Sequence, residues 1–284
     1  MSPLAGKVAL VTGSSRGIGA AIVHRLVSDG ANVIVNYVSN DAAAESVLKE
    51  LNAVRPNAAV ALKADMSSPS TVSYLAEEAL KAFGKVDIVV LNAGVMGAAT
   101  LSEVTEEYYN HVFDANVKGP LFLTKALAPH LASGMPFDLL TRRGYIVNSI
   151  KGSRIVFFSS SLTAVDSLLP NTLVYVASKG AVEQMTRALS KELGAKGINV
   201  NCISPGPIDT ALFRNGKPEQ VIQHITNLHP QKRLGQPDEI SGAVALLAGP
   251  DGSWINGQNI RINGVSGFAV KTECMLTPCK GYSV

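Results

Sequence analysis

Residues 8–19 read VALVTGSSRGIG. Val8-Ala9-Leu10-Val11 is a short, unbroken apolar run, the mark of a strand buried on both faces. From Ile18 to Leu26 the pattern becomes that of an amphipathic helix. Between the two, Gly13, Gly17 and Gly19 permit a sharp turn and let backbone N–H groups approach a pyrophosphate. The helix N-terminus adds a partial positive charge. The spacing is G-x-x-x-G-x-G, not the G-x-G-x-x-G of the commoner dinucleotide fingerprint. Alone, three glycines make an ordinary turn. The strand before and the helix after make this a phosphate loop, with Ser15, Arg16 and Ile18 among its contacts.

The alternation continues outward. Strands are expected at Asn32–Tyr37, Ala58–Lys63, Val86–Leu91, Arg154–Phe158, Ile198–Ile203 and Gln258–Ile262. Helices are expected from an Asp41 cap through Val54, from Ser70 or Thr71 to Phe83, from Thr105 to Leu131 (eased around Gly119-Pro120), from Thr172 to Leu193 and from Pro237 to Leu247. Such βα units imply an α/β fold: one doubly wound parallel sheet of about seven strands with helices on both faces. Residues 208–236 carry weak periodicity and read as a mobile flap. With no linker or repeat, residues 1–270 form one domain.

The end of the second strand bears on the cofactor. A carboxylate there would bond a ribose 2′-hydroxyl and repel a 2′-phosphate. Here Asn36-Tyr37-Val38-Ser39-Asn40 precedes the first acid, Asp41. Arg16 can reach the same place, and a cation with hydroxyl and amide donors suits a phosphate dianion. NADP(H) is therefore expected over NAD(H).

Tyr175 and Lys179 stand four apart on a predicted helix, hence on one face. A free phenol has a pKa near 10, too high for proton exchange at neutral pH. A nearby ammonium favours the phenolate and is expected to lower it. The strand before this helix ends in Ser159-Ser160-Ser161. A hydroxyl at the carboxyl end of a parallel strand faces the ligand crevice and can donate to a carbonyl oxygen as charge develops.

Taken in order, TGSSRGIG at 12–19, Asp65, NAG at 92–94, Asn116, the serines at 159–161, YVASK at 175–179 and SPGPIDT at 204–210 resemble the short-chain dehydrogenase/reductase family. The resemblance runs from Lys7 to about Phe268. The SPGP segment and WINGQ at 254–258 look like NADPH-dependent aldehyde and carbonyl reductases of plants and fungi, including polyhydroxynaphthalene-reductase relatives. It implies a single Rossmann-type domain that transfers hydride between a nicotinamide and a small-molecule carbonyl or alcohol. It makes Tyr175 the general acid/base, Lys179 its neighbour and ribose ligand, and Ser160 the carbonyl-orienting hydroxyl. Asn116 would hold a relay water. Asp65 and Met66 would line the adenine site, Asn92, Ala93 and Gly94 the cleft. Pro205, Gly206, Ile208 and Thr210 would close over the nicotinamide. A homotetramer or homodimer is implied too, packed through the helices near Thr105 and Thr172. Ser160 lies fifteen residues before Tyr175 where the family shows about thirteen, so Ser161 stays an alternative.

Two stretches depart from the family: 134–152, where Gly144–Ser149 imitates a second strand ending in serine, and 271–284, read as a disordered tail. Arg154 onward is favoured for the central strand because it alone leads correctly to Tyr175. If the insertion displaces that strand, the alternative is a cofactor-binding relative without turnover.

Composition limits other readings. Of 284 residues, 46% are apolar and 17% charged, and 25 basic against 22 acidic residues give a net charge of +3. That is globular, and large enough to bury a core without staples. The basic residues form no stripe, which argues against nucleic acid. No apolar run reaches the ~18 residues of a membrane span. The three cysteines lack C-x-x-C spacing and the five histidines are dispersed, which argues against disulfides and a metal site. A soluble, cytoplasmic enzyme is expected. Trp254 is expected to pack internally, and Phe213 is a candidate substrate contact.

Overall fold

The computed structural model describes residues 2–131, 152–165 and 168–265. All but the last residue of the 134–152 insertion, its strand-like segment 144–149, and the 271–284 tail lie outside the described residues.

Seven parallel strands form one sheet in the order β3-β2-β1-β4-β5-β6-β7. They are β1 (Val8–Val11), β2 (Asn32–Tyr37), β3 (Ala59–Lys63), β4 (Ile88–Leu91), β5 (Arg154–Phe158), β6 (Asn199–Pro205) and β7 (Asn259–Ile262). The expected boundaries hold to within a residue or two. β5 pairs with β4 through Val89↔Ile155 and Val90↔Val156, and with β6 through Val156↔Asn201. The central slot is thus filled by Arg154–Phe158, and the strand is not displaced.

Strand alternation splits the core in two. One face sets Ala9, Val11, Val33 and Val156 against α1 (Gly17–Ser28), α2 (Asp41–Val54) and α9 (Pro237–Ala248), the last α-helix among the described residues. The other sets Leu10, Ile34, Ile155 and Phe157 against α3 (Pro69–Phe83), α5 (Gly119–Leu127) and α6 (Leu173–Gly194). Phe157 is wholly buried. Truncating such a residue costs about 3–5 kcal/mol.

Three local expectations are corrected, and the segment read as a flap gains detail. The cap of α2 is Asn40, whose side chain accepts from Ala43 N; Asp41 is the first helical residue. The long helix is not continuous. It consists of α4 (Glu106–Phe113), a π turn over Asp114–Lys118, and α5, so the irregularity precedes Gly119. The flap region holds two helices, α7 (Ala211–Arg214) and α8 (Glu219–Leu228). Its ends are joined where Asp209 N donates to Gly235 O at 2.8 Å and Gly235 N to Pro207 O at 3.0 Å. Trp254 is 94% exposed and packs into no core.

The strand order reverses between β1 and β4. In doubly wound sheets, ligands bind beyond the carboxyl ends at such a switch point. Residues 12–19, 92–94, 159–161 and 205–210 all follow or end strands on that edge.

Candidate active site

The loop after β1 is built around its glycines. Gly13 and Gly17 have φ of 62° and 57°, in the left-handed region. A Cβ at Gly19 would lie 2.4 Å from the Gly13 carbonyl oxygen, so only glycine lets α1 start this close to β1. Asn92 Nδ2 donates to the carbonyls of Thr12 at 2.9 Å and Gly13 at 3.1 Å, and Ala93 N donates to Thr12 Oγ1 at 2.9 Å. The NAG segment therefore braces the loop. Helix α1 begins at the extended Arg16 with no side-chain cap and no acid in its first turn. Its first N–H groups stay available to an anion. Ser15 and Ile18 lie half-buried in this turn.

The residues expected around a 2′-phosphate divide. Asn36 is fully buried. Its Oδ1 accepts from Gly13 N at 3.1 Å, and its Nδ2 donates to Leu62 O at 3.2 Å and Ala64 O at 3.0 Å. Both amide protons are spent on holding the loop against β2 and β3. Asn40 commits its Oδ1 to the cap, accepting from Ala43 N at 2.9 Å. The nearby Asp41 carboxylate raises the Tyr37 phenol, and Lys63 Nζ donates to that carboxylate at 3.1 Å. Arg16 and Ser39 are exposed, and Arg16 has no acidic partner among the described residues.

Asp65 Oδ1 accepts from Ser67 N at 2.9 Å and Ser67 Oγ at 2.8 Å. Met66 is buried, and its carbonyl would lie 1.9 Å from a Cβ at Gly119, which fixes where α5 starts.

Helix α6 sets Tyr175 and Lys179 one turn apart. Lys179 is 5% exposed, its Nζ donates to Phe158 O at 2.9 Å, and it stands 5.8 Å from the Tyr175 ring centroid. The Ser160 hydroxyl is placed to act on the Tyr175 phenol, where it favours the phenolate. Ser160 also caps a 3-10 turn over Ser161–Ala164, accepting from Leu162 N at 3.3 Å. Of the three serines, Ser160 is the one whose hydroxyl acts on the Tyr175 phenol.

The electrostatics differ from expectation. Burial raises the Tyr175 phenol, and the Ser160 hydroxyl opposes this by favouring the phenolate. Burial also pulls Lys179 down to about 8. The expected net lowering of Tyr175 by Lys179 is absent here, because desolvation acts on both groups and the ammonium is turned to a backbone carbonyl.

Asn116 lies in the π turn and is 1% exposed. Its Oδ1 accepts from Val95 N at 2.8 Å; its Nδ2 donates to Val95 O and to Ser178 Oγ, both at 3.0 Å. The amide clasps the chain after Gly94 and has no N–H left for a relay water. A π turn adds a residue to the helical ladder and re-aims one side chain. Periodicity does not reveal it. Gly94 fits beneath this clasp: a Cβ there would lie 3.0 Å from Asn116 Oδ1 and 3.2 Å from Lys179 Nζ. Ser178 was missed, although a serine next to the lysine and between Val174 and Val182 on the buried helix face is a visible signal.

On the far side, Gly206 N donates to Ile262 O at 2.9 Å, just after Pro205 ends β6. Ile208 is buried, and the Thr210 methyl lies 3.5 Å from where a Gly17 Cβ would be. Thr210 caps α7, and Phe213 lies under Lys217 Nζ, 4.9 Å from its ring centroid.

The comparisons with known proteins agree with this fold. A family model described as enoyl-(acyl carrier protein) reductase matches residues 13–268. A "short-chain type dehydrogenase/reductase" of Picea abies is 38% identical over 92% of this chain and 92% of its own. An "NADPH-dependent aldehyde reductase-like protein, chloroplastic" of Arabidopsis thaliana is 38% identical over 92% of this chain and 94% of its own. A blue fluorescent protein from a metagenomic library, crystallised with NADPH, superposes with a TM-score of 0.82 at 35% identity, covering 94% of this chain and 99% of that one. With the sheet order, the glycine loop and the serine–tyrosine–lysine cluster in place, the chain belongs to the short-chain dehydrogenase/reductase family of oxidoreductases.

Proposed function

We propose that the protein is an NADPH-dependent reductase of ketones or aldehydes in which Tyr175 delivers the proton. The observation that carries this reading is the gathering of Ser160, at the carboxyl end of β5, with Tyr175 and the buried Lys179, whose Nζ is tied to Phe158 O and stands 5.8 Å from the Tyr175 ring centroid. The cofactor named for the Arabidopsis relative and bound in the metagenomic structure supports the choice of NADPH.

The residues fit a dinucleotide. The uncapped start of α1 and the left-handed glycines suit its diphosphate, and the exposed Arg16 and Ser39, Arg16 without an acidic partner among the described residues, suit a 2′-phosphate. Asp65 and Met66 would border the adenine; Asn92, Ala93 and Gly94 would floor the cleft; Pro205, Gly206, Ile208 and Thr210 would cover it. When bound, the nicotinamide supplies a hydride to the carbonyl carbon. Tyr175 gives its phenolic proton to the carbonyl oxygen, so that an alcohol results. Ser160 donates to the same oxygen as charge develops and holds the carbonyl on the phenol. Lys179, still protonated near neutral pH, offers its ammonium to ribose hydroxyls. Asn116 keeps Gly94 and Ser178 in place beneath them.

The test is NADPH absorbance followed against a panel of ketones, aldehydes and quinones. Oxidation that depends on one carbonyl class supports the reading. Tight NADPH binding with no oxidation by any of them refutes it. The family's homotetramer or homodimer is proposed with it, and light scattering that reports a monomer would remove that part.

A further inference from the structure

We propose that Glu183 is a positioning residue for this reaction, tying the segment that carries Ser160 to the helix that carries Tyr175 and Lys179. The proposal rests on the reductase reading above. Glu183 lies on α6, one turn beyond Lys179, and is half-buried. A single carboxylate oxygen, Oε1, accepts from Ser159 Oγ at 2.9 Å and from Thr163 Oγ1 at 2.5 Å. These donors stand on either side of Ser160. The carboxylate thus grips both ends of the turn whose first hydroxyl meets the Tyr175 phenol.

Each donor also has a backbone alternative. Ser159 Oγ lies 3.1 Å from Lys179 O, and Thr163 Oγ1 lies 2.8 Å from Ser160 O. A hydroxyl has one proton to give, and an ionised acceptor holds it more strongly than a carbonyl does. Without the carboxylate, Ser159 can stay on α6 through Lys179 O. Thr163 falls back on Ser160 O, inside its own turn, and that arm no longer reaches the helix. The fold keeps its ladders, but the Ser160 hydroxyl loses half of its tether. A displacement on the scale of an ångström at a reacting group costs about 100-fold in rate.

The test uses the full chain with Glu183→Ala, Glu183→Gln and Thr163→Val. A glutamine amide oxygen keeps two lone pairs for the two hydroxyls. Because it lacks the charge that outcompetes the backbone carbonyls, Glu183→Gln should lose part of the tether, up to about tenfold in kcat, whereas Glu183→Ala and Thr163→Val should lose about 10–100-fold. NADPH affinity, read by cofactor fluorescence, should not change in any of them. A second readout does not need turnover. Tyr175 ionisation is followed by phenolate absorbance against a matched Tyr175→Phe protein, and Thr163→Val should shift it to higher pH because Ser160 no longer favours the phenolate; the facing charges of Lys179 and Glu183 are retained in that variant. If Glu183→Ala does not fold, Thr163→Val and Glu183→Gln decide. Unchanged kcat and unchanged Tyr175 ionisation in Thr163→Val would overturn the proposal, as would equal losses in Glu183→Gln and Glu183→Ala. If the parent protein turns over no carbonyl, the reductase reading fails, while the ionisation readout still decides the role of Glu183.

Discussion

Lys179 and Phe158 are joined by a buried hydrogen bond, Nζ to carbonyl oxygen at 2.9 Å, that crosses from α6 to the end of β5. It fixes the ammonium behind the phenol and keeps a charge in a desolvated place.

That charge has a cost that pH exposes. Lys179 is drawn from its ordinary 10.5 to about 8, so its contribution to stability is present above 10.5 and is lost as pH falls through 8. Relative to Lys179→Met, the cofactor-free protein should gain about 2 kcal/mol between pH 7 and pH 9.5. Urea unfolding at several pH values measures this. Parallel stability curves for the two proteins would contradict it.

Two glycines should respond in opposite ways to alanine. A Cβ at Gly19 meets the Gly13 carbonyl at 2.4 Å, whereas one at Gly180, within α6, meets nothing within 4 Å. Gly180→Ala should stabilise by about 0.5–1 kcal/mol through helix propensity, and Gly19→Ala should destabilise and weaken NADPH binding. Thermal melts with and without cofactor separate the two effects.

Asn36 looks from the sequence like a ribose contact, yet it acts as a strut. Removing its amide in Asn36→Ala strands Gly13 N and the carbonyls of Leu62 and Ala64. The expected loss is at least about 3 kcal/mol of stability, since each of the three groups left unpaired costs about 1–3 kcal/mol. A melting temperature equal to the parent's would show that the loop does not depend on it.

Arg16 is assigned the opposite role, a free cation waiting for a phosphate. Arg16→Ala should leave stability alone and reduce the preference for NADPH over NADH by about 10–100-fold, the worth of one charge-assisted hydrogen bond. Comparing kcat/KM for the two cofactors is sufficient; an unchanged ratio would move the 2′-phosphate contact elsewhere.

Much of this architecture was legible because βα repetition writes itself in two periods. Val8–Val11 and Arg154–Phe158 are apolar throughout, and α1, α3 and α6 carry amphipathic stripes. What escaped was set by non-local fit. The choice between Ser160 and Ser161 turns on which hydroxyl acts on the Tyr175 phenol, which linear spacing cannot resolve. The direction in which the amides of Asn36 and Asn116 point depends on backbone groups some 20 to 30 residues away in sequence. The π turn at Asp114–Lys118 breaks the very period used to recognise a helix. α7 and α8 are short and flanked by Pro207 and Pro218, so their pattern is weak. Trp254 misled because an aromatic is usually worth burying.

The central claim is that the phenol of Tyr175 supplies the proton. Its most direct test is Tyr175→Phe, with NADPH oxidation in a single turnover read beside NADPH affinity. The account predicts unchanged affinity and a rate lower by about 10²–10⁴-fold. Turnover at the parent rate without that hydroxyl would contradict it.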